Sequence, residues 1–225
     1  MEWELTQDGK SNIANMVGEI LDNAERHSVV GGDGDWTMAA FMMKAPGEQS
    51  AMRCHLAFLS VGRSIAETIT TAPDRMRAYC EGYARGHSKC GRSRDTLVTI
   101  AALQDGVTSS HSANDGNRGG TGLQDTLELI GGLAGVPDPN ADVAVTIVSG
   151  KSCIRLRHPI LVGQRDGKNR RVQWCNAAND PQYPPDADVA FDLPAHFAGT
   201  LVSVAFTLDP GLFVPEGSHD GQADD

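Results

Sequence analysis

Apolar residues recur at helical spacing near the start of the chain. From Ser11 to Ser28, the positions Ile13, Met16, Val17, Ile20, Leu21 and Ala24 fall at i, i+3, i+4, i+7, i+8 and i+11, one face of an amphipathic helix. The period then changes. After a glycine-rich turn, GGDGD (Gly31 to Asp35), come two β-rich runs, WTMAAFMM (Trp36 to Met43) and RCHLAFLSV (Arg53 to Val61), joined by KAPGEQS. Short apolar runs bounded by turn residues predict an antiparallel pair of core strands. The region from Ile65 to Asn117 holds helical patches, DRMRAYCEGYA (Asp74 to Ala84) and RDTLVTIAALQ (Arg94 to Gln104), broken by glycine, serine and basic residues. It reads as a long, mobile connection. The polar stretch SSHSANDGNRGGTG (Ser109 to Gly122) then feeds a helix, LQDTLELIGGLAG (Leu123 to Gly135). Strands return as DVAVTIVSG (Asp142 to Gly150), SCIRLRH (Ser152 to His158) and GTLVSVAFTL (Gly199 to Leu208), with the loop NDPQYPPDAD between the last two. The pattern predicts an α+β fold, one mixed sheet covered on one face by helices.

At 225 residues and 40% apolar content the chain suffices for one sizeable core, so a single domain is expected over residues 1–213. Residues 214–225 are acidic, lack apolar content and predict disorder. Twenty-nine acidic against 19 basic residues, a net charge of −10, argue against general nucleic-acid or anionic-membrane binding, which needs a basic footprint. No run approaches the roughly 20 apolar residues of a membrane span, and no signal peptide opens the chain; a cytoplasmic location is expected. The five cysteines, Cys54, Cys80, Cys90, Cys153 and Cys175, are scattered without a CxxC pair and read as reduced thiols. Cys80, His87 and Cys90 could share a metal in principle. No fourth ligand is evident and the spacing is not that of a zinc finger, which favours partly buried thiols beside a solvated histidine.

Chemistry concentrates on the first helix. Asn12, Asn15, Glu19, Asn23 and Arg26 form a polar stripe beside its apolar face. One face packs while its neighbour can line a pocket. A carboxylate and an amide one turn apart suit Mg-ATP: the amide oxygen is a hard ligand for Mg²⁺, and the carboxylate can orient or deprotonate a water. On spacing alone, a solvated helix face is the commoner explanation. Further along, RGGTGLQ (Arg118 to Gln124) leads into a helix start, where backbone N–H groups at Gly120, Gly122 and Leu123, together with the helix dipole, would form an anion site.

The segment GEILDNAERHS (Gly18 to Ser28, with Glu19, Asn23 and His27) resembles the N box of the GHKL, or Bergerat-fold, ATPases, which include gyrase, heat-shock-90 chaperones, mismatch-repair ATPases and histidine kinases. The resemblance implies a two-layer Bergerat sandwich in which Asn23 coordinates Mg²⁺ on the ATP phosphates and Glu19 occupies the general-base position. The family's next element is a DxGxG box against adenine. It aligns with SVGRSI, placing Ser60 at the acidic position, Gly62 at the first glycine and Ser64 at the second; GGDGDW is a second-ranked placement. A serine hydroxyl is a weaker and less selective partner for adenine than a carboxylate. RGGTGLQ resembles the phosphate-wrapping glycine box, implying contacts from Gly119, Gly120, Thr121, Gly122 and Leu123. Between those boxes the family places its ATP lid, here about residues 66–118, with Arg85, His87, Lys89, Arg92 and Arg94 as candidate phosphate contacts. Gly199-Thr200 resembles a late Gly-Thr element that lies near adenine.

The resemblance implies lid-gated ATP hydrolysis or phosphoryl transfer that controls a partner protein. Ser60 motivates an alternative, a nucleotide-binding regulatory module with weak catalysis, and the single-domain length leaves a serine-kinase anti-sigma type open. Only about ten residues precede the first helix, which disfavours a conventional histidine kinase. The length also leaves no room for the transducer domain of gyrase-like enzymes.

Overall fold

In the computed structural model, residues 3–28, 35–44, 52–107, 122–135, 142–167 and 169–215 are described. The chain opens with a short strand, β1 (Trp3–Leu5), and the helix α1 (Gln7–Ser28). The helix starts four residues before its apolar period because Thr6 caps it: the Gly9 amide donates to Thr6 Oγ1 at 3.1 Å, and the Thr6 amide donates to Leu212 O at 2.9 Å. Its predicted apolar face is the buried one, with Met16 and Ile20 in the core and Ile13, Val17 and Leu21 packed against it.

The strands β2 (Trp36–Lys44) and β3 (Met52–Val61) form the expected antiparallel pair, with Trp36 opposite Ser60 and Lys44 opposite Met52, but only β3 is a core strand: β2 is exposed along its whole length, because it stands at the sheet edge. Three helices follow: α2 (Ile65–Ile69), α3 (Asp74–Gly86) and α4 (Arg94–Ala102). Next come α5 (Gly122–Leu133), β4 (Val143–Arg157), the small hairpin β5 (Gln164–Arg165) and β6 (Arg171–Val172), the long strand β7 (Ala190–Thr207), and β8 (Phe213–Pro215). Strand β8 pairs with β1 and ties the two ends of the described chain together. The main sheet has the order β2-β3-β7-β4. Alternate residues of its strands, Cys54, Leu56 and Phe58, Val202, Val204 and Phe206, and Val143, Val145 and Ile147, point into one core. Helices α1, α2, α4 and α5 pack on that face. Each fully buried Leu, Ile or Phe there contributes about 1.5–3 kcal/mol.

Four further expectations change. The sheet is antiparallel throughout rather than mixed: β3 and β4 run parallel to each other, but β7 lies between them and opposes both. The runs 142–150 and 152–158 are one strand, because β7 pairs with both across a bulge at Ser149–Ser152. The region 65–107 is no mobile connection. Its helices bury Cys80, Tyr83, Leu97, Val98, Ile100 and Ala101 in the core; of the stretch expected as a lid, residues 108–118 lie outside the described residues. Finally, the fold runs to Pro215, since Val214 and Pro215 pair with Glu4 and Trp3. No helix among the described residues is long and apolar enough to cross a membrane.

Candidate functional site

Where β3 leaves the sheet, backbone geometry forces four elements together. Gly199 sits at φ +131°, and a Cβ there would lie 2.0 Å from Ser60 O, so only glycine lets β7 pass the end of β3. This approach brings Thr200 opposite both Ser60 and Ser149. Ser149 is fully buried, and its Oγ shares a 2.8 Å hydrogen bond with Thr200 Oγ1 and accepts the Ile65 amide at 2.8 Å. Ser60 is buried too, and among the described residues its hydroxyl has only a long contact, 3.4 Å to Thr200 O. Gly62, at φ +138°, turns the chain into α2, which Ser64 caps. The Ser64 hydroxyl accepts the Glu67 amide at 3.2 Å, and Glu67 Oε2 accepts the Ser64 amide at 2.7 Å. That bond from the Ser64 amide, ahead of weaker help from His196 and Arg63, holds the Glu67 carboxyl below its usual range despite partial burial. The sequence-predicted residues Ser60, Gly62, Ser64 and Thr200 therefore do converge, on a junction of hydroxyls.

Glu19 belongs to a second feature. Helices α1 and α5 lie side by side, and between them runs an open groove of about 480 Å³ lined by Ala14, Asn15, Gly18, Glu19, Asp22, Asp125 and Leu129. Four of the seven carry oxygen donors: one amide and three carboxylates. Glu19 is half-buried and has no hydrogen-bond or ion-pair partner among the described residues. Asn23 stands one turn further along α1, and its side chain lies outside the described residues, as does that of His27. The Glu19 groove is not lined by Ser60, Gly62, Ser64 or Thr200. Gly119, Gly120 and Thr121 lie outside the described residues; Gly122 and Leu123 are the first two residues of α5. Gln124, next in that motif, is buried, donates to Leu103 O at 2.6 Å, and leaves its Oε1 unpartnered.

The candidate lid cations divide. Arg94 pairs with Glu81, Arg92 Nε donates to Ala190 O at 2.8 Å, and His87 Nε2 bonds Pro181 O at 2.8 Å, so these three hold the helices to each other and to the loop before β7. Arg85 and Lys89 are exposed. Cys80 is fully buried and its thiol is pushed up to about 12 by that burial, while Cys90 is half-buried. No group of three or more His, Cys, Asp or Glu among the described residues is arranged to hold a metal. GGDGD lies outside the described residues except for Asp35.

Reading the sequence missed Asp22 and Asp125 as groove carboxylates and Ser149 as the hub of the hydroxyl junction. Asp22 adjoins Asn23 in the N-box segment and Asp125 follows Gln124 in the glycine-box segment, so proximity to the two motifs was the available signal. Ser149 offered none, because its role depends on a partner 51 residues away. Comparison of the chain with protein-family models, with curated proteins and with solved structures gave no match.

Proposed function

We propose that this chain is a GHKL-type domain that binds Mg-ATP and hydrolyses it or transfers its γ-phosphoryl group to control a partner protein. One observation carries the reading: Glu19, from the N-box-like segment, lines a groove whose other wall is α5, the helix opened by the glycine-box-like segment. Residues 29–117 separate those two motifs in the chain. The described carboxylates form no preformed metal cage, and Mg²⁺ in a nucleotide site does not need one. Mg²⁺ takes hard oxygen ligands, commonly one or two carboxylates with the rest from substrate phosphates and water, and the groove offers Asn15, Glu19, Asp22 and Asp125. Three carboxylates around the groove oppose an unscreened polyphosphate, so binding should require the divalent cation. When bound, ATP would supply the phosphoryl group and its Mg²⁺ the positive charge between the phosphates and this wall. The chain's own part is then to hold the phosphates at the α5 N-terminus and to orient a water at Glu19, whose carboxylate has no partner among the described residues.

The test is Mg-ATP binding by calorimetry and phosphate release for the native chain, Glu19→Ala and Asn23→Ala. The reading expects binding only with Mg²⁺, roughly 10²–10⁴-fold slower release for Glu19→Ala, and affinity weakened by about tenfold or more for Asn23→Ala. Native protein without nucleotide affinity sinks it. The long Ser60 contact at the position where the family keeps an acid favours a second reading, a regulatory module that binds nucleotide with weak catalysis. Unchanged turnover in Glu19→Ala, with binding intact, selects that second reading.

A further inference from the structure

The two edges of the main sheet are finished differently. The β4 edge is interrupted by the bulge at Ser149–Ser152 and carries exposed Lys151, Arg155 and Arg157. Bulges and charges of this kind keep an edge from recruiting another strand. The β2 edge has neither. Its nine residues keep unbroken register with β3 from Trp36 to Lys44, contain no proline, and carry no charge before Lys44. Both faces of β2 are exposed and apolar: Trp36 (42%), Met38 (42%) and Met42 (55%) on the helix side, Phe41 (56%) and Met43 (47%) on the other. Among the described residues no strand pairs with its outer side. A row of free backbone groups flanked by five large exposed apolar side chains is a template for a further strand.

We propose that the occupant is β2 of a second copy, paired antiparallel about a two-fold axis at Ala40, which would join the two sheets into one of eight strands. The choice of partner and direction follows from charge and size along the strand. Asp35 stands immediately before β2 and Lys44 closes it. Antiparallel pairing sends the two Lys44 ammonium groups to opposite ends of the seam, each beside the Trp36 end of the other copy, whereas parallel pairing in register would align like charges. A two-fold perpendicular to the sheet keeps the helix faces of both copies on one side and so pairs residues of equal parity. Centred on Ala40, it sets Met38 against Met42, Ala39 against Phe41, and Trp36 against Lys44, where the ammonium can rest on the indole face. The small pair at the axis lets the backbones close. The inference rests on the sheet edge alone and is independent of nucleotide binding.

Sedimentation of the full chain at roughly 50 μM, together with cross-linking, tests it. The native chain is expected to be a dimer. Ala40→Lys, which sets two ammonium groups at the axis on an exposed position, should weaken dimerisation by at least about tenfold with an unchanged circular dichroism spectrum. Ala40→Cys should form an intermolecular disulfide, since paired residues across strands lie within disulfide range, and Thr37→Cys should not, its two copies being about 20 Å apart. A native monomer overturns the proposal, leaving the edge to a different protein. A dimer indifferent to Ala40→Lys, or cross-linked equally through both cysteine variants, overturns it as well.

Discussion

Asp192 and Glu19 are both half-buried carboxylates beside a helix, and they are used in opposite ways. Asp192 in β7 accepts the Ser93 amide at 2.8 Å, the Ser93 hydroxyl at 2.6 Å and the Thr96 hydroxyl at 2.6 Å, which nails the start of α4 to the sheet. Burial raises its pKa, but those three bonds and the nearby Arg92 outweigh it and hold the carboxyl below its ordinary range. Glu19 has no such partner among the described residues and faces a groove. Two residues of the same charge class thus differ in what replaces their lost hydration. Where the chain supplies every donor, the carboxylate is structural; where it supplies none, the group is available to a metal, a water or a substrate.

The difference can be broken most forcefully at the junction that holds β7 in place. Gly199→Ala puts a methyl group into Ser60 O and asks alanine to adopt φ +131°, so a loss of about 3 kcal/mol or more is expected in urea unfolding, or no folded protein at all. Asp192→Ala should come next, at about 2–3 kcal/mol, because it leaves the α4 cap without its charged acceptor. Its pH signature sharpens the assignment. A carboxyl with a lowered folded pKa stabilises fully above the unfolded value of about 3.9, and that stability disappears as pH falls through the folded value. The native chain should therefore lose stability below about pH 4, and Asp192→Ala should lose correspondingly less over the same interval. Smallest is Glu19→Ala, expected within about 0.5 kcal/mol of native in the same denaturation series. A large loss there would make Glu19 structural and erase its contrast with Asp192.

Much of the frame was legible from period alone. Helices α1, α3, α4 and α5, the β2–β3 hairpin and the second half of β7 follow from local patterns, because an amphipathic face or an apolar run declares itself without knowing what it packs against. What escaped was set at long range. Strand β7 begins at Ala190, through a stretch with Pro194 and polar residues that no propensity would assign to a strand, since its pairing with Ser152–Ile154 decides it. Helix α2 is too short for a period and exists through the Ser64 capping box and its packing on α4 and β4. The region 65–107 looked mobile because glycine, serine and basic residues interrupt it. Those interruptions are caps and ties: Ser93 bonds Asp192, Arg92 bonds Ala190, and Arg94 pairs with Glu81.

By itself the sequence determined where Glu19 and Asn23 fall on one helix, one turn apart, and that a glycine-rich loop opens another, because both follow from spacing along the chain. Only the tertiary structure decided that α5 forms the far wall of the Glu19 groove, that Asp22 and Asp125 join it, and that Ser60 and Thr200 meet at Ser149 instead. The physical reason is that a groove is a property of two surfaces. Each helix encodes its own polar stripe, but which stripes face each other is set by the packing of apolar faces on the sheet, and that packing depends on the whole chain at once.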